Sequence, residues 1–442
     1  MNKTYTTDEI LKVREKNLFP SVTHYYRKPL HIKKASMQWV WDVEGKKYLD
    51  AFGGIVTISA GHNHPRIKNR LKQWLDEDRP QHTTIFYLSE PIVELAEKMA
   101  ALSPGTLKKS FFTNSGSEAN ELAILLSRRF TKRHEIVALK HAYHGGTTGT
   151  LSLSGQHTWK FGGPGLPGIT HAAQPNCYRC PWGATPESCA LECAQDVEET
   201  IRTTTSSEIA AAMIEPIQGV GGFIIPPKEY FSKVYEIVKK YGGLYISDEV
   251  QAGVGRTGQY WFGVLHNGIT PDMMTMAKGL GNGASIGGIL TTPEIADSMR
   301  GKIHFNTYAG NPWATMQAAE TLNILQDEDV LKKATDLGGY ILNALKEIQN
   351  SFFTIGDVRG RGLLIGVELV KDKKTKAYGT EETLELMEQA KERGLLIGKG
   401  GMYGNVIRIT PPMCITQADA ASIVQVFKES LEATEKKMGY RK

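Results

Sequence analysis

The chain has 442 residues, 41% hydrophobic and 22% charged, an ordinary globular composition long enough for a large core and two or three domains. Its net charge of +5, from 52 basic and 47 acidic side chains, is a small excess, and no basic block is interleaved with aromatics, so nucleic acid is not an expected partner. The first ten residues lack a charged stretch followed by an apolar one, and no run of 18 apolar residues occurs; a cytoplasmic enzyme that neither enters nor crosses a membrane is the expectation.

In chain order, residues 39–50 read as two short strands about a Glu44-Gly45 turn, and AFGGIVT at 51–57 brings glycine backbone to a place that can line a cleft. Residues 93–101 carry helical apolar spacing and stop near Ser103-Pro104-Gly105. A buried strand over 110–113 is followed by a helix over 118–131, whose stripe of Ala119, Leu122, Ala123, Leu126 and Phe130 faces a core. Between them, Asn114, Ser115, Gly116 and Ser117 stand at the helix N-terminus. Free backbone N–H groups, the helix dipole, a glycine and two hydroxyls make an anion site there, unless the serines only cap the helix. The spacing is neither that of a dinucleotide loop nor that of a nucleoside triphosphate loop, so a single phosphate fits better.

A strand over 135–140 leads into HAYHGG, where Tyr143, beside His144, can stack on a planar ring or simply occupy a turn. The stretch 174–194 holds four of the five cysteines, Cys177, Cys180, Cys189 and Cys193, as C-x2-C-x8-C-x3-C. Four thiolates can close a tetrahedral metal site, but the pairs are closer together than in zinc ribbons; a surface insertion with reduced thiols and no metal is the expectation. Apolar strands over 209–214, 244–247 and 273–277 end in Glu215, in Asp248 to Gln251, and in Lys278, with helical stretches such as 229–241 between them. Such alternation means a mostly parallel sheet covered on both faces, with ligands outside the carboxyl ends of its strands. Ser115, Gly116, Ser117, Tyr143, His144, Glu215, Asp248, Gln251 and Lys278 all fall at those ends.

The last third changes character. Residues 321–350 are rich in helix formers, 356–370 alternate apolar runs with glycines, 381–393 form an amphipathic helix, and 406–409 a strand with Arg408 able to point inward. Residues 416–419 read as a capping box opening a final helix. The expected division is an N-terminal segment at 1–60 belonging to a small domain, a large domain at 61–325 with the cysteine insertion at about 174–194, and the rest of the small α/β domain at 326–442.

Pyridoxal phosphate needs a lysine for a Schiff base, an anion cradle, a stacking ring and an acid at its pyridine nitrogen. Lys278, Gly116 with Ser117, Tyr143 and Asp248 offer these in turn. Lys278 is useful as a nucleophile only if burial or neighbouring charge lowers its pKa. Displaced by substrate, it is also the natural base and acid for the proton shift. Gln251 can donate to the ring's phenolic oxygen. Arg408 can clamp a carboxylate bidentately or make a structural ion pair, with Glu215 as its partner in either case.

The motifs TNSGSEANE (113–121), YHGG (143–146), EPIQG (215–219), DEVQAGVGRTG (248–258), KGLGNG (278–283) and TYAGNP (307–312) resemble, in order and across the whole chain, the class-III (ω-)aminotransferases. AFGGIVT (51–57), HFNTYAGNP (304–312), GDVRGRG (356–362), IGKG (397–400) and PMCIT (412–416) most resemble the alanine–glyoxylate type. The resemblance implies the PLP-dependent transferase fold type I and a homodimer or dimer of dimers with interfacial sites. It implies that Thr307 reaches the phosphate of the neighbouring subunit's cofactor, that Arg408 binds the α-carboxylate, and that Glu215 pairs with Arg408 when an amine without that carboxylate enters. Ile55 and Tyr87 join Arg408 as expected substrate contacts. The implied activity is ping-pong transfer of an amino group from alanine, or an ω-amino acid or amine, to glyoxylate or pyruvate. A 4-aminobutyrate or other ω-amino acid aminotransferase using 2-oxoglutarate is the rival, as is a racemase, mutase or phospho-lyase sharing Lys278 and Asp248. No second arginine is placed for a distal carboxylate, which favours a small acceptor.

Overall fold

The computed structural model describes residues 5–21, 23–185 and 187–442; residues 1–4 of the N-terminal stretch read above and position 186 of the cysteine stretch lie outside them. A seven-stranded sheet carries the site: β1 (Lys109–Thr113), β2 (Glu135–Leu139), β3 (Ile169–Ala172), β4 (Ile209–Ile214), β5 (Leu244–Asp248), β6 (Met273–Met276) and β7 (Gly287–Thr291), in the order β1-β7-β6-β5-β4-β2-β3. β7 is antiparallel to both its neighbours, and the pairs among β2 to β6 are parallel. The sheet is therefore mostly parallel, as expected, with one reversed strand.

Residue chemistry accounts for this arrangement. β4, Ile-Ala-Ala-Ala-Met-Ile, is buried at every position, as a strand covered on both faces must be. The helix Tyr230–Lys240 buries Tyr230, Phe231, Val234, Ile237 and Val238, one continuous stripe, and packs on β4 and β5. β3 and β7 are strands that the sequence reading did not anticipate. In β7 the first glycine is required, because a Cβ on Gly287 would come within 2.3 Å of the Ser115 carbonyl.

Two smaller sheets flank this one. Ile32–Ser36, Trp39–Asp42 and Lys47–Asp50 form an antiparallel sheet, and Leu395–Leu396 adds to it in parallel, so the two ends of the chain share a sheet. Ile355–Arg361, Leu364–Asp372, Val406–Ile409 and Gly398–Gly400 form the other, in which Arg408 lies opposite Gly366. The helical region expected at 321–350 is two helices, Pro312–Asp327 and Val330–Ile348, interrupted where Asp329 takes a φ of 51°. The capping box is present: Thr416 Oγ accepts from the Asp419 N–H and the Asp419 carboxylate from the Thr416 N–H, opening Gln417–Lys437. Among the described residues no helix is long and apolar enough to cross a membrane.

Candidate active site

Lys278 stands one residue, Ala277, beyond β6 and opens a single 3-10 turn, Lys278–Leu280, with its own φ at 44°. A non-glycine residue in that region costs about 1–3 kcal/mol and persists only where its surroundings hold it. Here they do. Ser59 Oγ donates to the Gly279 carbonyl at 2.6 Å, Asn282 Oδ1 accepts from the N–H groups of Ser59 and Ala60, and Gln317 Nε2 donates to the Gly281 carbonyl. The side chain keeps some surface in a cavity yet is enclosed by protein. Burial and then the charge of Arg408 lower its pKa from 10.5 to about 8, against the opposing pull of Asp248 and Glu215.

That cavity, about 200 Å³, is walled by residues from the ends of four strands and one helix. Gly116 and Ser117 come from the first turn of the helix Gly116–Thr131, whose leading N–H groups have no intrahelical acceptor. Tyr143 and His144 follow β2, Glu215 follows β4, Asp248 to Gln251 lie at the end of β5, and Ala277 and Lys278 follow β6. Asp248 is tightly fixed. Its Oδ2 accepts from Asn120 Nδ2 and from His144 Nδ1, both at 2.8 Å, and its Oδ1 from the Val250 N–H at 3.1 Å. Burial disfavours a charged His144, but the hydrogen bond and charge of Asp248, with Glu215, outweigh it and raise the pKa above the ordinary value. Tyr143 is braced by Trp159, ring centroids 4.7 Å apart.

These residues fit pyridoxal phosphate, the cofactor that the resemblance implies. An amine of lowered pKa, a buried carboxylate held by three donors, an aromatic wall and a helix N-terminus surround one slot. Gly116 leaves space that a Cβ would occupy 3.0 Å from Val250 Cγ2. Asn120, Val250 and Ala277 are site residues that the sequence reading missed; Asn120 lies one helical turn beyond Gly116, a signal that was there to be used.

Other expectations need correction. Glu215 does not pair with Arg408. Its Oε1 accepts from the Tyr143 N–H at 3.1 Å and its Oε2 from the Gly219 N–H at 2.9 Å, and burial raises its pKa. Arg408 instead donates from Nη2 to Gln251 Oε1 at 2.6 Å, so the oxygen of that amide faces the guanidinium. The Ser115 hydroxyl caps the helix by accepting from the Glu118 N–H, and Ser115 does not wall the cavity. Ile55 and Tyr87 do not line it either, being 49% and 68% exposed; Thr307, expected to reach a neighbouring subunit's site, is exposed on this chain. Within one chain they are surface residues because Ile55 sits in the left-handed turn after Phe52 and the other two lie on loops. The four cysteines are free thiols that line a separate cavity of about 530 Å³, and among the described residues no group of three or more His, Cys, Asp or Glu side chains is set to hold a metal.

Residues 22–431 match the model of the class-III aminotransferase family. The alanine–glyoxylate aminotransferase 2 homolog 2, mitochondrial, of Arabidopsis thaliana is 43% identical over 426 residues, 96% of this chain and 88% of that protein. The leucine/methionine racemase of Thermococcus litoralis is 37% identical over 413 residues, 92% of this chain and 91% of that one. Among solved structures, an aminotransferase of Bacillus anthracis superposes with a TM-score of 0.90 at 31% identity, covering 98% of this chain and all of that one. The chain belongs to the class-III aminotransferases and is an aminotransferase.

Proposed function

We propose that this aminotransferase uses pyridoxal phosphate to move an amino group from alanine, or an ω-amino acid or amine, to glyoxylate or pyruvate in a ping-pong cycle. The observation that carries the reading is the single slot in which Lys278, of pKa about 8, meets the fixed carboxylate of Asp248 and the helix N-terminus at Gly116. The name of the Arabidopsis relative supports alanine and glyoxylate. When bound, the cofactor supplies an electron sink for negative charge at the substrate Cα. The N–H groups of Gly116 and Ser117 hold its phosphate. Asp248, oriented by Asn120 and His144, holds the proton on the pyridine nitrogen, and Tyr143 flanks the ring. Lys278 Nζ would anchor the group and, once substrate has displaced it as a free amine, would be the base for the proton on the substrate Cα and the acid that returns it. Arg408 binds the substrate carboxylate.

The test is to convert the protein to its amine form and follow reoxidation by glyoxylate, pyruvate and 2-oxoglutarate. Glyoxylate or pyruvate is expected to react fastest; preference for 2-oxoglutarate moves the protein to the 4-aminobutyrate type. The racemase similarity favours one further reading, and loss of optical activity of alanine or leucine with no oxo acid turned over is the outcome that selects it.

The proposal includes a homodimer or dimer of dimers in which Thr307 serves the neighbouring subunit's site. Its support is a surface on which Phe86 is 71%, Leu88 105% and Ile303 93% exposed, with Phe86 stacked on Phe305 close to Thr307. Apolar area of this kind marks an interaction face. Mixing Lys278→Ala with Thr307→Ala subunits is expected to restore some sites in the heterodimer; none restored in verified heterodimers contradicts the arrangement. A cytoplasmic location belongs to the same proposal, beside a relative whose name says mitochondrial, and cell fractionation decides it.

A further inference from the structure

We propose that Asn306 is a positioning residue that aims Thr307 at the neighbouring subunit's slot, and that it does so from Glu118, a side chain that also braces the anion cradle of its own chain. This deepens the reading of Thr307 as a cross-subunit contact and rests on it. Asn306 holds the residues on both sides of Thr307. Its Oδ1 accepts from the Tyr308 N–H at 3.2 Å and its carbonyl from the Ala309 N–H at 3.1 Å, so Thr307 stands at the outer corner of a turn that Asn306 closes. Inward, Asn306 Nδ2 donates to Glu118 Oε2 at 2.9 Å. Asn114 Nδ2 donates to the same oxygen at 3.0 Å and to Asn306 Oδ1 at 2.9 Å, and the Asn114 N–H also donates to Glu118 Oε2, at 2.8 Å.

Two amides and one carboxylate thus close a ring. An ionised carboxylate only accepts, so each amide turns its NH2 group toward Glu118, and bonds to a charged acceptor are the strong ones. The place of Glu118 gives the ring its reach. It is the third residue of the helix Gly116–Thr131, and Asn114 directly precedes the cap, Ser115. One carboxylate oxygen therefore holds both the approach to the cradle of its own slot and the loop that serves the neighbour's. A second brace, the His304 ring against Phe111 of β1 with centroids 5.0 Å apart, keeps the loop against the sheet. The loop's other side is bare, with Ile303 93% and Tyr308 61% exposed. Polar groups bound inward and apolar ones left outward suit a loop seated between its own sheet and a second copy of the chain. Fixing the turn in advance spares Thr307 the entropy of being ordered when phosphate arrives.

The test uses verified heterodimers with one working slot, made from a Lys278→Ala chain and a chain that keeps Lys278, and reads pyridoxal phosphate affinity from the visible band of that slot. Thr307→Ala in the Lys278→Ala chain is expected to weaken binding about tenfold, the loss of one bond to a charged group. Asn306→Ala in that same chain is expected to weaken it by a similar factor. The two together are expected to cost no more than Thr307→Ala alone, because Asn306 acts through Thr307. Asn306→Ala in the chain that bears the slot is expected to cost less, about threefold, through Asn114. Glu118→Gln, which keeps the shape and removes the charge, is the second variant and is expected to weaken binding in either chain. Additive losses from Asn306→Ala and Thr307→Ala overturn the proposal. So does a loss confined to the slot-bearing chain, since the ring would then only brace its own helix, and so does full affinity in both variants. If Thr307→Ala itself costs nothing across the subunits, the cross-subunit reading is what fails, and the proposal falls with it.

Discussion

Lys278 is a cation kept where a cation is disfavoured. Its pKa of about 8, against 10.5 for a free side chain, means that the unfolded chain binds more protons between those values, so stability rises with pH across that window. Below pH 8 both states are protonated and the full desolvation cost is present. The apoprotein of Lys278→Met is therefore expected to be more stable than wild-type apoprotein at pH 7, by an amount on the order of 2–3 kcal/mol. Denaturant melts should show the difference shrinking from pH 8 toward 10.5; a difference constant with pH contradicts the assignment. At this scale, residues at strand ends were legible in the sequence because an apolar run that stops in Asp248 or Lys278 announces both the strand and its chemistry. The Gln251–Arg408 pair was not. Its members are 157 residues apart, and Glu215 was the better partner on charge alone; what occupies its carboxylate is one backbone N–H from the turn it begins, Gly219, and one from the segment after β2, Tyr143.

The helix Gly116–Thr131 joins the sheet to the anion site. Its cap, Ser115, spends its hydroxyl on the Glu118 N–H and leaves the N–H groups of Gly116 and Ser117 directed outward. Gly116→Ala adds a Cβ 3.0 Å from Val250 Cγ2, so that wall of the slot must shift, while alanine favours the helix by up to about 1 kcal/mol. The expected result is about tenfold weaker binding of pyridoxal phosphate with little change in melting temperature, the phosphate contribution being on the order of 1–2 kcal/mol. Equal losses of affinity and stability would mean that the glycine serves packing alone. Among elements, β4, an uninterrupted apolar run, and Val406–Ile409, apolar but for Arg408, were read at their observed ends. β7 escaped because its two leading glycines, Gly287 and Gly288, carry no strand signal, although close approach to the Ser115 carbonyl is what requires the first of them. The two helices over 312–348 merged into one stretch because helix formers continue through the left-handed Asp329.

Across the molecule, one buried ion network ties the cysteine stretch to the sheet that holds Arg408. Glu368, 2% exposed, accepts from Arg179 Nε at 2.5 Å and pairs with Arg359 Nη2 at 2.8 Å, and Arg359 Nε donates to the Gly222 carbonyl. Burial disfavours the charged carboxylate, but Arg359 and Arg179 outweigh it and hold the pKa below 4.5. The pair thus contributes stability that is present above the unfolded value and lost as pH falls through the folded one. Glu368→Ala leaves Arg179 without its counter-charge and Arg359 with Asp357 alone, and is expected to cost about 3 kcal/mol at pH 7, with the deficit narrowing below pH 4.5. A loss under 1 kcal/mol would show the network to be solvent-screened. No spacing argument reached this network, since its members come from three segments that only the completed fold brings together.

The central claim, that Lys278 carries the cofactor, is tested most directly by borohydride reduction of the protein incubated with pyridoxal phosphate, followed by digestion and mass spectrometry. The account predicts one pyridoxyl adduct per chain, on Lys278, and disappearance of the visible absorption band on reduction. An adduct on another lysine, or none at all, would contradict it.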